Sequence, residues 1–220
     1  QTVRPDLEIL VMSATLAPGP VIDFLGRAAA VESAGRSYPV RVEYLTPQDL
    51  SAAAERTAQG RNLLPVFARS AQQIASLVDY GVQRLVDRTA GDLLVFLPGK
   101  GEIRRCEQQL LSFAQSRQME ILPMHGELSP EDQDRILTPG ARRRIVLATN
   151  VAETSLTIPG VTAVIDTGLV RVMQFDANRG VDQLQLHKIS RASADQRTGR
   201  AGRVRAGECL RLWTERDQQS

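Results

Sequence analysis

At 220 residues, 42% hydrophobic and 24% charged, the chain is long enough for one sizeable α/β core, and its 4% aromatic content is ordinary for such a domain. A formal net charge of +2 excludes a global basic field as the route to nucleic acid, and no apolar run approaches the length that spans a bilayer. Two isolated cysteines, Cys106 and Cys209, exclude a disulfide framework, and His125 and His187 are too scattered for a metal-ligand set; no metal site is expected, and the expected compartment is the cytoplasm.

In chain order, residues 9–13 form an apolar run that reads as a strand, and residues 18–25 read as a helix. A boundary falls near residues 35–40. The stretch after it lacks helical periodicity at its start, and residues 38–45 alternate as a strand or an extended linker would. Beyond it, apolar runs alternate with amphipathic stretches: helix 64–88 and strand 92–97, helix 101–116 and strand 120–124, helix 130–137 and strand 144–148. Ser129 supplies an N-cap, with Pro130 at the first helical position. A strand over 161–166 precedes two extended stretches, 169–176 and 181–190, which flank a turn-rich segment and read as a hairpin. Helix 194–204 and strand 208–212 follow. The alternation predicts a parallel sheet covered by helices on both faces, with ligands in the loops that follow strands.

The run Gln196-Arg197-Thr198-Gly199-Arg200-Ala201-Gly202-Arg203 is the most informative part of the chain. On one continuous helix, Gln196, Arg200 and Arg203 fall within an arc of about 60°, with Arg197 towards its edge. Two guanidinium forks a turn apart, beside an amide, suit a polyphosphate. Gly199 and Gly202 each cost a helix interior about 1 kcal/mol relative to alanine, so each is expected to permit close approach by a backbone or a ligand. Around the run, Lys188, Arg191, Arg197, Arg200, Arg203 and Arg205 face only Asp195, a local basic surface that attracts phosphates.

This run resembles motif VI of superfamily 2 helicases, in the QRxGRxGR form of the DEAH-box branch. Ser13-Ala14-Thr15 resembles motif III, Leu94-Val95-Phe96-Leu97-Pro98-Gly99 with Glu102-Ile103 resembles motif IV, and Pro123-Met124-His125-Gly126-Glu127-Leu128-Ser129-Pro130 with Gln133 resembles motif IVa. Thr149-Asn150-Val151-Ala152-Glu153-Thr154-Ser155-Leu156-Thr157-Ile158 resembles motif V. Among DEAH proteins the wording is closest to bacterial helicases of the HrpB type. The resemblance implies an α/β fold: a RecA-like parallel sheet with helices on both faces, and a β-hairpin inserted between motifs V and VI, against the nucleic acid. Residues 1–35 would be the C-terminal tail of a first, ATP-binding RecA-like domain, 36–60 a linker, and 61–220 the second RecA-like domain.

By position in the motifs, the resemblance makes Arg200 and Arg203 the arginine fingers on the β- and γ-phosphates of ATP and Gln196 the amide near the γ-phosphate or attacking water. Arg197 falls to internal structure. Ser155 would sense the nucleotide, or cap a local helix, and Gly199 would lie beside it. Leu137 stands where many eukaryotic members stack a phenylalanine on the base, so weaker stacking and wider nucleotide tolerance are expected. Pro159 replaces an acidic residue near the ribose. Ser13, Ala14 and Thr15 would couple ATP state to domain movement. Gly99, Lys100, Thr149, Asn150, Arg171 and Lys188 would hold a single strand, although Thr149 and Asn150 also suit the shaping of a turn. ATP and Mg2+ are implied, both held mainly by the first domain, because this chain has no Gly-x-x-x-x-Gly-Lys-[Ser/Thr] loop and no Asp-Glu-x-His. Alone it is expected not to hydrolyse ATP. The expected function is the C-terminal motor domain of an ATP-dependent DEAH-box RNA helicase, with RNA in a groove between the two RecA-like domains and no membrane partner. The alternatives are a DNA helicase or translocase of the same superfamily, since no motif reports the 2′-OH, and a non-catalytic nucleic-acid-binding module.

Overall fold

The computed structural model describes residues 8–11, 18–26, 28–31, 38–55, 70–154, 157–176 and 180–218. Residues 1–35 and 36–220 form two compact units. In the first, the described part of the expected strand 9–13 is not a strand, and Ile9, Leu10 and Val11 are exposed. An apolar run becomes a strand only where a neighbour supplies ladder partners. Helix α1 (Pro18–Phe24) ends at Gly26, whose φ of 72° suits glycine and whose N–H donates to the Asp23 carbonyl.

The second unit is built on six parallel strands in the order β1 (Val40–Tyr44), β8 (Gly207–Arg211), β5 (Val161–Asp166), β2 (Asp92–Phe96), β4 (Arg144–Ala148) and β3 (Glu120–Met124). Side chains alternate across a strand, so the continuous apolar runs of β2 and β4 must be covered twice. Leu93, Val95, Ile145 and Leu147 pack with Ile74, Leu77, Ile103 and Leu110 from α3 (Ala71–Val86) and α4 (Lys100–Ser116). Leu94, Phe96, Val146 and Ala148 turn the other way, against Ile136 of α5 (Pro130–Leu137) and Ala152 of α6 (Val151–Thr154). Between β5 and α7 (Arg191–Gly199) stands the antiparallel hairpin of β6 (Leu169–Asp176) and β7 (Val181–Lys188), with Leu169 opposite Lys188 at its base.

Within the span 36–60, expected as a linker, the described residues include β1 and α2 (Pro47–Glu55). β1 pairs along its whole length with β8. At the start of α2, the Asp49 N–H donates to Thr46 Oγ1 (3.2 Å) and the Thr46 N–H to Asp49 Oδ2 (2.8 Å). That reciprocal cap starts a helix whose apolar pattern is weak. The expected helix 64–88 is found from Ala71, with residues 64–69 outside the described set; Ser70 and Gln73 exchange bonds in a second capping box.

Two charged clusters brace the sheet. At the start of β2 and β4, Asp92 accepts from the Arg144 N–H (2.8 Å) and from Nε (2.7 Å), while the same guanidinium donates to the carbonyls of Ile136, Thr138 and Pro159 (3.0, 2.8 and 2.8 Å). On β1, both Glu43 oxygens accept from Arg88 (2.8 and 3.0 Å), with Arg84 and Arg41 alongside. The Arg88 bonds, helped by the charges of Arg84 and Arg41 and opposed by burial, hold the Glu43 carboxyl at about 2 against an ordinary 4.5. A depressed carboxyl pKa stabilises the fold above its unfolded value, and that contribution is lost as pH falls through the folded one. Unfolding free energy from urea titrations is therefore expected to fall between pH 4.5 and 2, and Glu43→Gln to flatten that slope. An unchanged slope in the variant would show that Glu43 does not contribute.

Candidate functional site

In a parallel sheet all strands end at one edge, and the loops there are the natural ligand-binding positions. The loops after β2, β4 and β3 lie side by side at that edge. Gly99 caps the N-terminus of α4, and a Cβ placed on it would fall 2.9 Å from Arg171 Nε and 3.1 Å from Glu102 Oε2. Arg171, near the base of β6, donates to Glu102 Oε1 (2.9 Å). Lys100 forms an ion pair with Glu127, so a residue following β2 reaches one following β3, past the intervening loop after β4. In that loop the half-buried Thr149 donates its N–H to the Met124 carbonyl (3.0 Å), and the Thr149 and Asn150 carbonyls accept from the Ala152 and Glu153 N–H groups of α6. Asn150 is exposed, and Lys188 is exposed at the hairpin base. The structure thus gathers Gly99, Lys100, Thr149, Asn150, Arg171 and Lys188 at one edge.

From Thr149 the chain must return to the opposite edge to begin β5, and from the hairpin α7 must return to begin β8. The two return segments run side by side on the α5/α6 face. Arg197, fully buried, donates from Nε to Glu153 Oε2 (2.8 Å) and from Nη1 to Asp166 Oδ1 (2.9 Å) and the Leu169 carbonyl (3.3 Å), with its guanidinium 4.8 Å from the Phe96 ring centroid. Arg200, also buried, donates to the Glu153 carbonyl. The exposed Arg203 donates to the Thr157 hydroxyl. Burial, then the charge of Arg203, lowers the Arg200 pKa from its ordinary value, and Glu153 opposes this.

The single helical stripe expected for Gln196, Arg200 and Arg203 is not what forms. The α-helix stops at Gly199 and a 3-10 turn spans Arg200–Gly202, which places Arg203 beyond any helix. Backbone crowding is the reason: the Tyr38 N–H donates to the Gly202 carbonyl (2.8 Å), and a Cβ on Gly202 would lie 2.5 Å from the Tyr38 carbonyl oxygen. Gly202 therefore permits a close backbone approach, whereas Gly199 has open space around it. Gln196 is half-buried on α7.

Leu137, half-buried at the end of α5, lies between the Ile136 and Thr138 carbonyls that Arg144 binds. Through Arg144 that segment is tied to Pro159, at the edge where β5 begins. Arg203 and Leu137 are thus at the opposite strand edge from Thr149 and Gly99. Ser13, Ala14, Thr15 and Ser155 lie outside the described residues. In the sequence Glu153 stands out only as part of the motif V run, and Asp166 only as a carboxylate ending a largely apolar strand, which is the signal it offers. Among the described residues no group of three or more His, Cys, Asp or Glu side chains is placed to hold a metal ion, and no helix is long and apolar enough to cross a membrane.

A family model for the helicase conserved C-terminal domain matches residues 74–205. The chain belongs to this family. The matched span of the helicase C-terminal domain runs from inside α3 to just past the arginine run, so β1 and β8 extend its sheet beyond the match. The ATP-dependent RNA helicase HrpA of Escherichia coli (strain K12) is 39% identical over 214 residues, covering 97% of this chain and 15% of its own. HrpB of the same organism is 38% identical over 214 residues (96% and 24%), and the probable ATP-dependent RNA helicase DHX34 of Homo sapiens 37% over 217 (97% and 18%). The crystal structure of E. coli DExH-box NTPase HrpB matches with a TM-score of 0.77 at 37% identity, over 99% of this chain and 24% of that one. The chain thus spans less than a quarter of the length of these relatives.

Proposed function

We propose that this helicase C-terminal domain is the second motor domain of an ATP-dependent DEAH-box RNA helicase. In this reading it acts with a P-loop domain of which residues 1–35 are the tail, and it includes β1, which pairs with β8 in its sheet, and α2, which lies against α3. The observation that carries it is that Arg200 and Arg203, after α7, both donate to the segment that leads from Thr149. Thr149 bonds the end of β3, while Glu153 and Thr157, a few residues on, accept from the two arginines.

ATP is the substrate, bound mainly by the P-loop domain. Arg200 and Arg203 would meet its phosphates from this side, with Gln196 near the γ-phosphate and Gly199, Leu137 and Ser155 bordering the nucleotide. Phosphoryl transfer spreads negative charge over the phosphate oxygens, and fixed guanidinium forks neutralise it without reorganising solvent. The described residues offer no fitting ligand set for Mg2+; the ion is assigned to the P-loop domain with the phosphates, and no step here runs through it. Ser13, Ala14 and Thr15 would report the ATP state.

At the other edge, Gly99, Lys100, Thr149, Asn150, Arg171 and Lys188 would hold the backbone of a single strand, with amide, hydroxyl and cationic groups that grip phosphates without reading bases. The relatives named as RNA helicases support RNA as the track. The free, buried thiols of Cys106 and Cys209 suit a reducing compartment, which supports the cytoplasm.

The test is affinity for single-stranded RNA and a matched DNA, in a protein carrying both motor domains, by fluorescence anisotropy. The double variant Thr149→Ala/Asn150→Ala is expected to bind RNA about tenfold more weakly, the worth of one charge-assisted bond. Unchanged affinity would remove these residues from the track, and equal affinity of the unaltered protein for DNA would count against RNA as the preferred strand.

A further inference from the structure

Arg197 is fully buried and joins Glu153, Asp166, the hairpin base and Phe96. Its Nε holds the carboxylate of Glu153, and its Nη1 holds Asp166 and the carbonyl of Leu169, the first residue of the hairpin. Its guanidinium faces the ring of Phe96, the last residue of the strand that leads to Gly99. Thr167 donates its hydroxyl to the Phe96 carbonyl (2.8 Å), and Asp166 Oδ1 also accepts the Gly168 N–H (2.9 Å). The Gly168 carbonyl in turn accepts the Ile189 N–H (3.0 Å), at the exit of β7. Both stems of the hairpin therefore end on the Asp166–Arg197 pair.

Glu153 closes the circuit. Its carboxylate accepts from Arg197 and, at 2.5 Å, from the Ser193 hydroxyl, and its own backbone carbonyl accepts from Arg200. A guanidinium is a planar fork with fixed donor directions, so it cannot follow one partner without shifting the other. Movement of the hairpin base displaces Leu169 and Asp166, the fork turns with them, and the peptide that holds Arg200 is carried along.

Resting on the proposed function above, we infer that Arg197 and Glu153 are positioning residues that set Arg200 according to the placement of the hairpin base, and so make ATP turnover respond to the bound strand. Neither residue contacts substrate. Burial of Arg197 and Asp166 is what makes the linkage stiff: a pair with 1% and 0% side-chain exposure has no water to take over a lost bond.

Glu153→Gln keeps the backbone carbonyl and an acceptor for Ser193 but loses the charge that grips Arg197; Arg197→Lys keeps a charge for Asp166 but cannot span three partners. Turnover is measured with and without saturating single-stranded RNA, along with KM for ATP, in the protein with both motor domains. The expected result is a fall of at least fivefold in the ratio of stimulated to basal kcat in both variants, with KM for ATP and RNA affinity within about twofold of the parent. A purely structural role would lower both rates in proportion, or raise KM with them, and would overturn the inference, as would an unchanged ratio. Should Arg197→Lys not fold, Glu153→Gln and the milder Ser193→Ala, which frees one oxygen of Glu153, decide the matter by the same ratio. If the parent protein shows no RNA-stimulated turnover, the proposed function itself fails and this inference falls with it; full stimulation in parent and variants sinks the inference alone.

Discussion

Arg200→Ala and Arg203→Ala are each expected to lower ATP turnover by about 10³-fold or more, the range that arginine fingers supply in phosphoryl transfer, while RNA affinity stays within about twofold of the parent. The two residues reach this outcome differently. Arg203 is exposed and, among the described residues, donates to the Thr157 hydroxyl, so its removal is expected to leave the fold in place and gives the cleaner experiment. Arg200 is buried, and its loss also strips a donor from the Glu153 carbonyl. Arg200→Lys is therefore the companion variant: it retains a positive charge but not the fork, and its turnover should lie close to that of alanine if paired donors matter. Single-turnover hydrolysis with saturating ATP reads the chemical step directly. Near-parental rates in both alanine variants would remove these residues from the catalytic role.

Asp92→Ala is expected to destabilise the helicase C-terminal domain by about 3–5 kcal/mol, the cost of leaving one partner of a buried ion pair alone. Arg144 is 2% exposed and would keep its three carbonyl contacts but lose the carboxylate beside its Nε and its own N–H. For a domain of this length the loss corresponds to a fall in Tm on the order of 10 °C. Asp92→Asn should lose less, because an amide oxygen can still accept from the Arg144 N–H. Urea unfolding of the parent and the two variants checks both expectations, and a loss below about 1 kcal/mol for alanine would show that water replaces the pair.

The parts of this fold that were legible are those buried on two sides. β2, β4 and β5 are nearly unbroken apolar runs, and such runs have few other readings in a chain that alternates with amphipathic helices. β1 was harder because it is an edge strand: Arg41 and Glu43 lie between Val40, Val42 and Tyr44, and a half-exposed alternation of five residues looks the same in a linker. The helix break at Gly199 was invisible for a different reason. It depends on the backbone of Tyr38, more than 160 residues away, pressing on Gly202. At the site, the arginine run and the strand-end loops were readable as motifs, but their distribution between opposite edges of the sheet was not, since that follows only from strand direction. Nor could the sequence show that Lys100 and Arg171 have Glu127 and Glu102 as neighbours, or that Glu153 and Asp166 share one arginine.

Among the described strands the sheet has two open sides, β1 and β3, and an open strand is a template on which a second molecule can add its own. Each side carries a different obstacle. On β3, Pro123 sits in register with Leu147 of β4 and has no N–H to offer, so an incoming strand would meet an interrupted ladder. On β1, Arg41 and Glu43 project where a flat apolar strand would invite partners, and Glu43 is already engaged by Arg88. A proline and a charged pair, set at opposite margins of the described sheet, thus each interrupt the addition of a further strand.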